Sequence, residues 1–366
     1  MFKYAEIKSI HLEITSRCNA RCPQCSRNLQ GGRVNPNLPL VEIRAAEIAQ
    51  IIPEDLVQRL DKILLCGNYG DPLAAQDTIP VLEYFRSCNP QVRLSMHTNG
   101  SGRTPSWWKQ LAHLVNCIHF SIDGLQDTNH VYRRGTEWPL VMQSAEAFIK
   151  AGGYAEWDYL AFRHNEHQVD YAAKLAKQMG FKAFNLKKSS RFYDRGQVLD
   201  ATPVYSLQGT LDYYIERPRA RHLQNTAGLE LFPILESGRR YDDYLNETPI
   251  ACKAFKNSEI FISAEGLVFP CCSLAQIYSP TPNQQVSQIL DLLEKLPDGR
   301  LSLSAKHHPI AEIVGGGFFQ VLVPSTWCSP SVAAGKLRVC SQVCGELDIT
   351  GNQHQLSGTS QRPEQG

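Results

Sequence analysis

Three cysteines, Cys18, Cys22 and Cys25, fall within the fourteen residues 15–28 (TSRCNARCPQCSRN) with the spacing C-x3-C-x2-C. Thiolates are soft ligands that select zinc or iron-sulfur clusters. A structural zinc site takes four protein ligands, usually as paired short spacings. Three in one loop leave a metal position open to something other than protein. A zinc loop completed by a distant ligand and a set of unrelated reduced thiols are the alternatives. A second group, Cys252, Cys271, Cys272, Cys328, Cys340 and Cys344, occupies the other end of the chain.

The elements that must position these groups follow from periodicity. Ile10, Leu12 and Ile14 alternate with polar residues, so residues 7–14 read as a strand, and the first cysteines lie in the loop at its C-terminal end. Residues 39–52 have apolar positions at helical spacing behind Pro39, which predicts a helix. The unit then repeats. Strands are predicted over residues 62–66, 92–97, 116–122, 154–162 and 182–186, and helices over 75–87, 106–113, 139–151 and 166–179, the last stopping at Gly180. Six strands alternating with five helices imply a parallel sheet with right-handed crossovers, hence an α/β barrel or a doubly wound sheet.

The loops at the strand C-terminal ends hold the remaining polar chemistry, on the face where parallel α/β proteins build sites. They are Gly67-Asn68-Tyr69-Gly70-Asp71-Pro72, His97-Thr98-Asn99, Ser121-Ile122-Asp123-Gly124 and Phe162-Arg163-His164-Asn165-Glu166. Gly67 and Gly70 would let a backbone approach a ligand closely and Asp71 offers acceptors, although taken alone the loop reads as a simple βα turn. The hydroxyl of Ser121 and the carboxylate of Asp123 suit a diol, although Asp123-Gly124 also reads as a turn. Arg163 or His164 suits a carboxylate.

Charge disfavours one class of partner: with 37 basic against 36 acidic residues, nucleic-acid binding driven by a broad basic surface is not expected. No apolar run approaches the roughly 20 residues of a membrane span, and no charged-then-apolar leader opens the sequence, so a cytoplasmic location is expected. In such a chain twelve cysteines serve metal or catalysis more often than disulfides. Cys66, Cys88 and Cys117 fall in strand or helix patterns as small buried hydrophobes. Residues 201–247 read as a connector with some helix, and a second domain is expected over residues 248–350. It contains a hairpin over residues 259–262 and 267–269 turning at Ser263-Ala264-Glu265-Gly266, a helix over 284–296 and a weaker one over 301–314. The polar tail, residues 351–366, is expected to be disordered.

The first cysteine loop resembles the cluster motif of the radical S-adenosylmethionine (SAM) superfamily, with Gln24 where an aromatic residue is usual. The loop from Gly67 to Pro72 is similar to its "GGE" motif, with Asp71 where Glu is usual, and residues 121–124 resemble its ribose-binding segment. Cys252, thirteen residues, Gly266, four residues and Cys271 resemble the opening of the SPASM/twitch extension. The resemblance implies a partial (β/α)6 TIM-like barrel over residues 1–200 with a C-terminal SPASM/twitch iron-sulfur domain. It implies SAM and two [4Fe-4S] clusters: a SAM-binding one on Cys18, Cys22 and Cys25, and an auxiliary one on Cys252, Cys271, Cys340 and Cys344. Cys272 or Cys328 remains as a substitute ligand, and a zinc ribbon is the alternative. SAM contacts are implied for Gly67, Gly70, Asp71, Asn99, Ser121, Asp123 and Arg163. The implied activity is hydrogen abstraction by a 5′-deoxyadenosyl radical, with a ribosomally made peptide as the favoured substrate, to be modified by crosslinking, epimerisation or backbone excision. Expected partners are an external electron donor such as flavodoxin or ferredoxin and a separate peptide-recognition protein. A sugar or nucleoside substrate is the second reading, and a zinc-binding scaffold the reading from outside enzymology.

Overall fold

The computed structural model describes residues 2–194, 197–225, 240–279 and 283–346. The tail at 351–366 and residues 226–239 of the connector lie outside them. Six strands run parallel in sequence order: β1 (Ser9–Leu12), β2 (Lys62–Leu65), β3 (Arg93–Thr98), β4 (Cys117–Ser121), β5 (Ala155–Ala161) and β6 (Ala183–Lys188). The crossovers carry α1 (Ala45–Ile51), α2 (Glu54–Val57), α3 (Thr78–Cys88), α4 (Pro105–Leu114), α5 (Asn129–Tyr132), α6 (Trp138–Lys150) and α7 (Val169–Met179).

Local signals explain the helix ends. Pro105 opens α4 while the Thr104 hydroxyl accepts from Trp107 N at 3.4 Å. Gly180 closes α7 with φ 91°, a left-handed conformation that glycine adopts without penalty. The strand period of two sorts residues by face. One row, including Ile10, Leu12, Ile63, Leu65, Leu94, Met96, Ile118, Phe120 and Trp157, is buried in the principal core, which the helices share. The other row carries His11, His97, His119, Glu156 and Asp158, a polar face.

The predicted C-terminal hairpin forms from β11 (Glu259–Ile262) and β12 (Val268–Phe269), which are antiparallel and turn at Gly266 with φ 83°. It is part of the main sheet: β11 pairs in parallel with β1, Ile260 opposite Ile10. The sheet order is therefore β12-β11-β1-β2-β3-β4-β5-β6, an open α/β sheet with a single antiparallel strand, β12, at one edge.

Three further expectations are corrected. The helix expected from residue 39 starts only at Ala45. Residues 41–43 are extended against the chain leaving β1, with Ser16 N donating to Val41 O (3.0 Å) and Ile43 N to Ile14 O (2.8 Å); pairing with a neighbouring strand overrode helical spacing. The connector contains a hairpin, β9 (Ala201–Tyr205) with β10 (Leu211–Glu216), as well as the short helix α8 (Tyr241–Glu247). Its β-branched and aromatic residues and Gly209 (φ 85°) favour strand and turn. A small two-stranded pair, β7 (Tyr193–Asp194) and β8 (Gln197–Val198), precedes it. The weak helix at 301–314 is two pieces, a 3-10 turn at Gly299–Leu303 and a helix at Ile310–Gly315, because Pro309 cannot continue a helix from upstream.

Since β11 is built into the sheet, Ile260→Ala is expected to cost about 2–5 kcal/mol of global stability in urea denaturation followed by far-UV circular dichroism. A loss below about 1 kcal/mol would show that the edge pairing carries little of the core.

Candidate active site and metal centres

The first cysteine loop is held by the ends of its neighbouring strands. Glu13, one residue past β1 and buried, accepts hydrogen bonds at Oε1 from Tyr69 N (2.7 Å) and Gly70 N (2.9 Å). Burial drives its carboxyl up to about 7 even though these N–H groups pull the other way. Gly67 and Gly70 are required by packing. A Cβ on Gly70 would stand 1.7 Å from Thr15 O, and one on Gly67 2.5 Å from Glu13 Oε1.

Asp71 is likewise buried, and its oxygens accept from Leu73 N (3.0 Å), Thr98 Oγ1 (2.8 Å), Asn99 N (2.7 Å) and Asn99 Nδ2 (2.8 Å). Those four bonds occupy the roughly four lone-pair positions of a carboxylate. The carboxylate therefore joins the ends of β2 and β3. It also holds the Asn99 amide, whose Nδ2 reaches Cys18 Sγ at 3.7 Å and Asn19 Oδ1 at 2.9 Å.

Asp123 sits at the end of β4, fully buried, with Leu160 N donating to Oδ1 (2.6 Å) and Arg133 Nε to Oδ2 (2.5 Å). Arg133 spans the gap, because its Nη1 also donates to Cys22 Sγ at 3.8 Å. Ser121 is half-buried on β4, in register with Asp158. Arg163 is engaged in a 2.5 Å ion pair with Glu166, and its backbone N donates to Glu216 O on β10 (3.0 Å). His97 leaves the loop for the polar sheet face and stacks on His119, ring centroids 4.3 Å apart. Gln24 is bonded to Ser189 Oγ (3.1 Å) and Thr202 Oγ1 (3.4 Å).

Cys22 is buried, and Cys18 and Cys25 pack against the same apolar patch of Ala20, Tyr132, Phe162, Val204 and Ile215. Burial pushes the Cys22 thiol up to about 11 and Cys18 well above its ordinary range. Donors are already aimed at these sulfurs, including Ala20 N to Cys18 Sγ at 3.3 Å. Buried thiols carrying N–H donors suit a soft metal, which displaces the proton on binding.

The C-terminal cysteines converge although they are far apart in sequence. Cys252 immediately precedes α9 (Lys253–Lys256), Cys271 follows β12, and Cys340 and Cys344 lie one turn apart on a helix, Arg338–Cys344. All four line one cavity of about 50 Å³, walled otherwise mainly by apolar side chains. Lys253 N donates to Cys344 Sγ at 3.4 Å. Cys272 lies on the same wall, whereas Cys328 is exposed and outside it. Trp327 also lines the cavity, and its buried Nε1–H makes no hydrogen bond of ordinary geometry, its interaction with the Cys340 thiol being a looser one.

Between the two cysteine groups lies a larger cavity of about 520 Å³. Gln24, Cys25 and Tyr69 form one side, and Tyr278, Arg338 and Gln342 contribute to the rest. Asparagine, glutamine and tyrosine dominate this wall, and Arg338 is its one charged side chain among the described residues.

Glu13, Arg133 and Trp327 escaped the sequence reading. Glu13 had a signal, as a carboxylate in an apolar alternation five residues before the first cysteine. Arg133 and Trp327 had none, because tertiary contact alone brings them to the sulfurs.

Residues 12–176 match the radical SAM superfamily. Among solved structures, Streptococcus suis SuiB bound to S-adenosylmethionine is similar at 12% identity over 92% of this chain and 73% of that one, TM-score 0.52. Native anSMEcpe with bound AdoMet and the Cp18Cys peptide is similar at 17% identity over 95% and 91%, TM-score 0.50. In a further SuiB structure, with a TM-score of 0.47, the chain spans 63% of that protein's length. At these identities the likeness is one of fold.

The Glu13 carboxyl gives a signed pH dependence. Its pKa is raised from 4.5 to about 7 in the folded chain, so between those values the folded state binds the extra proton and stability falls as pH rises. The shift corresponds to about 3 kcal/mol. Glu13→Gln keeps an acceptor without the charge and is expected to flatten that component, read as the difference between urea-denaturation profiles of the two proteins from pH 4.5 to 7.5. Parallel profiles would show that Glu13 titrates normally.

Proposed function

We propose, from the match of residues 12–176 to the radical SAM superfamily, that the protein is a radical SAM enzyme and that it modifies a peptide held between two [4Fe-4S] clusters. Cys18, Cys22 and Cys25 would hold three irons of the first cluster and leave the fourth to SAM. Cys252, Cys271, Cys340 and Cys344 would hold an auxiliary cluster in a SPASM/twitch extension of a partial barrel. Once bound and given an electron by a donor such as flavodoxin or ferredoxin, SAM supplies a hydrogen-abstracting 5′-deoxyadenosyl radical.

The residues of this chain have distinct parts in that reading. Glu13 and Asp71 fix the loops, and Gly67 and Gly70 permit their close packing. Asn99 and Arg133 direct N–H groups at the Cys18 and Cys22 sulfurs. Ser121 remains the group suited to the ribose, while Asp123 anchors Arg133. The bonds of Asp71, Asp123 and Arg163 within the chain favour positioning over direct SAM contact.

The observation that carries the proposal is the 520 Å³ cavity between the cysteine groups. Amide side chains exchange paired hydrogen bonds with a peptide backbone, and tyrosines add flat, amphipathic contact area. The fold shared with anSMEcpe, which binds a peptide together with AdoMet, supports the same reading.

Protein purified without oxygen is expected to be brown, with about eight irons per chain. Replacing Cys18, Cys22 and Cys25 with Ala should halve the iron and abolish 5′-deoxyadenosine formation, whereas retained formation would remove the SAM site from this loop. Replacing Cys340 and Cys344 should remove the other half, and unchanged iron would contradict those ligands. Incubation with SAM, reductant and the peptides of neighbouring reading frames should change one peptide's mass. A mass change confined to a sugar or nucleoside would overturn the peptide assignment.

A further inference from the structure

Resting on the auxiliary-cluster reading above, we propose that Trp327 donates a hydrogen bond to that cluster and raises its reduction potential. Trp327 ends a short helix, Val323–Trp327, whose Val323 packs into the same wall. An indole N–H can only donate, and a buried donor without an acceptor is a standing cost that native proteins avoid. Here the Nε1–H is buried and makes no hydrogen bond of ordinary geometry, although the indole interacts with the Cys340 thiol across the cavity lining. Glu259, an acceptor on the same wall, accepts from Ser9 Oγ at 3.1 Å and takes no hydrogen bond from the indole. Apart from the cysteines, Glu259, Lys253 and Ser273, the residues lining the cavity are apolar, including Ile250, Val339 and Val343. A cluster sulfide or the Cys340 thiolate would complete the missing bond.

The direction of the effect follows from charge. A cluster gains negative charge on reduction, and an N–H donor at sulfur stabilises that charge, which raises the potential. Lys253 N already serves Cys344 Sγ at 3.4 Å, so the two donors would act on different ligands of one cluster. An auxiliary cluster tuned upward is the better acceptor for an electron leaving a substrate radical.

The test isolates the auxiliary cluster by using full-length protein with Cys18, Cys22 and Cys25 replaced by Ala. In that background Trp327→Phe keeps the aromatic ring and removes the donor. An EPR-monitored redox titration is expected to give a more negative midpoint for the Phe variant. With tryptophan labelled at the indole nitrogen by ¹⁵N, the reduced cluster of the Trp327 protein should show a ¹⁵N hyperfine coupling, and the Phe variant should lack it. Iron retained with neither response would overturn the Trp327 assignment alone. No iron in this background would overturn the auxiliary-cluster reading beneath it. Should Trp327→Phe fail to fold, the ¹⁵N coupling in the Trp327 protein decides by its presence or absence.

Discussion

A buried carboxylate at the seam between two strand ends is the constraint on which the rest of the site depends. Glu13 takes hydrogen bonds from Tyr69 N and Gly70 N, and Gly70 sits so close to Thr15 O that no larger residue fits. Burying the carboxylate is costly and is offset only while those N–H groups face it. Asp71 extends the seam to β3 through Thr98 and Asn99, and Asn99 reaches Cys18. The thiols are therefore placed by three strand ends locked together, more than by their own short loop.

The seam also ties the two cysteine groups to one framework. Because β11 lies beside β1, the chain enters that edge from Cys252 and leaves the hairpin at Cys271. The β2 loop meets this segment directly: Asn68 Nδ2 donates to Cys272 O at 2.8 Å, and Tyr278 N donates to Tyr69 Oη at 3.3 Å. The residues that brace the first cysteine loop thus also brace the wall of the cavity lined by the second cysteine group. A cavity between the two inherits its shape from both.

The strand-and-helix series and both cysteine groups were legible in the sequence because they rest on local signals: alternation, spacing, Gly180, and the turn at Gly266. Pairing partners were not. The hairpin of β11 and β12 is written in its turn residues, but its attachment to β1 joins positions as far apart as Ser9 and Glu259, for which no local pattern exists. Asp71 and Asp123 were recognised as polar groups at strand ends, yet residue type does not show whether a carboxylate faces a ligand or its own backbone. The oxygens of both take hydrogen bonds from within the chain. Arg133 and Trp327 show the same limit from the donor side, since an N–H becomes informative only once a sulfur is seen beside it.

The claim at the centre of this account is that the loop from Cys18 to Cys25 presents a cluster iron to which SAM binds directly. The most direct measurement is ¹⁷O hyperfine spectroscopy on the reduced cluster after adding SAM labelled with ¹⁷O in its carboxylate, using protein in which Cys340 and Cys344 are replaced by Ala. A resolved ¹⁷O coupling, lost when unlabelled SAM is substituted, is the predicted result. A reduced cluster whose spectrum is indifferent to SAM would contradict it.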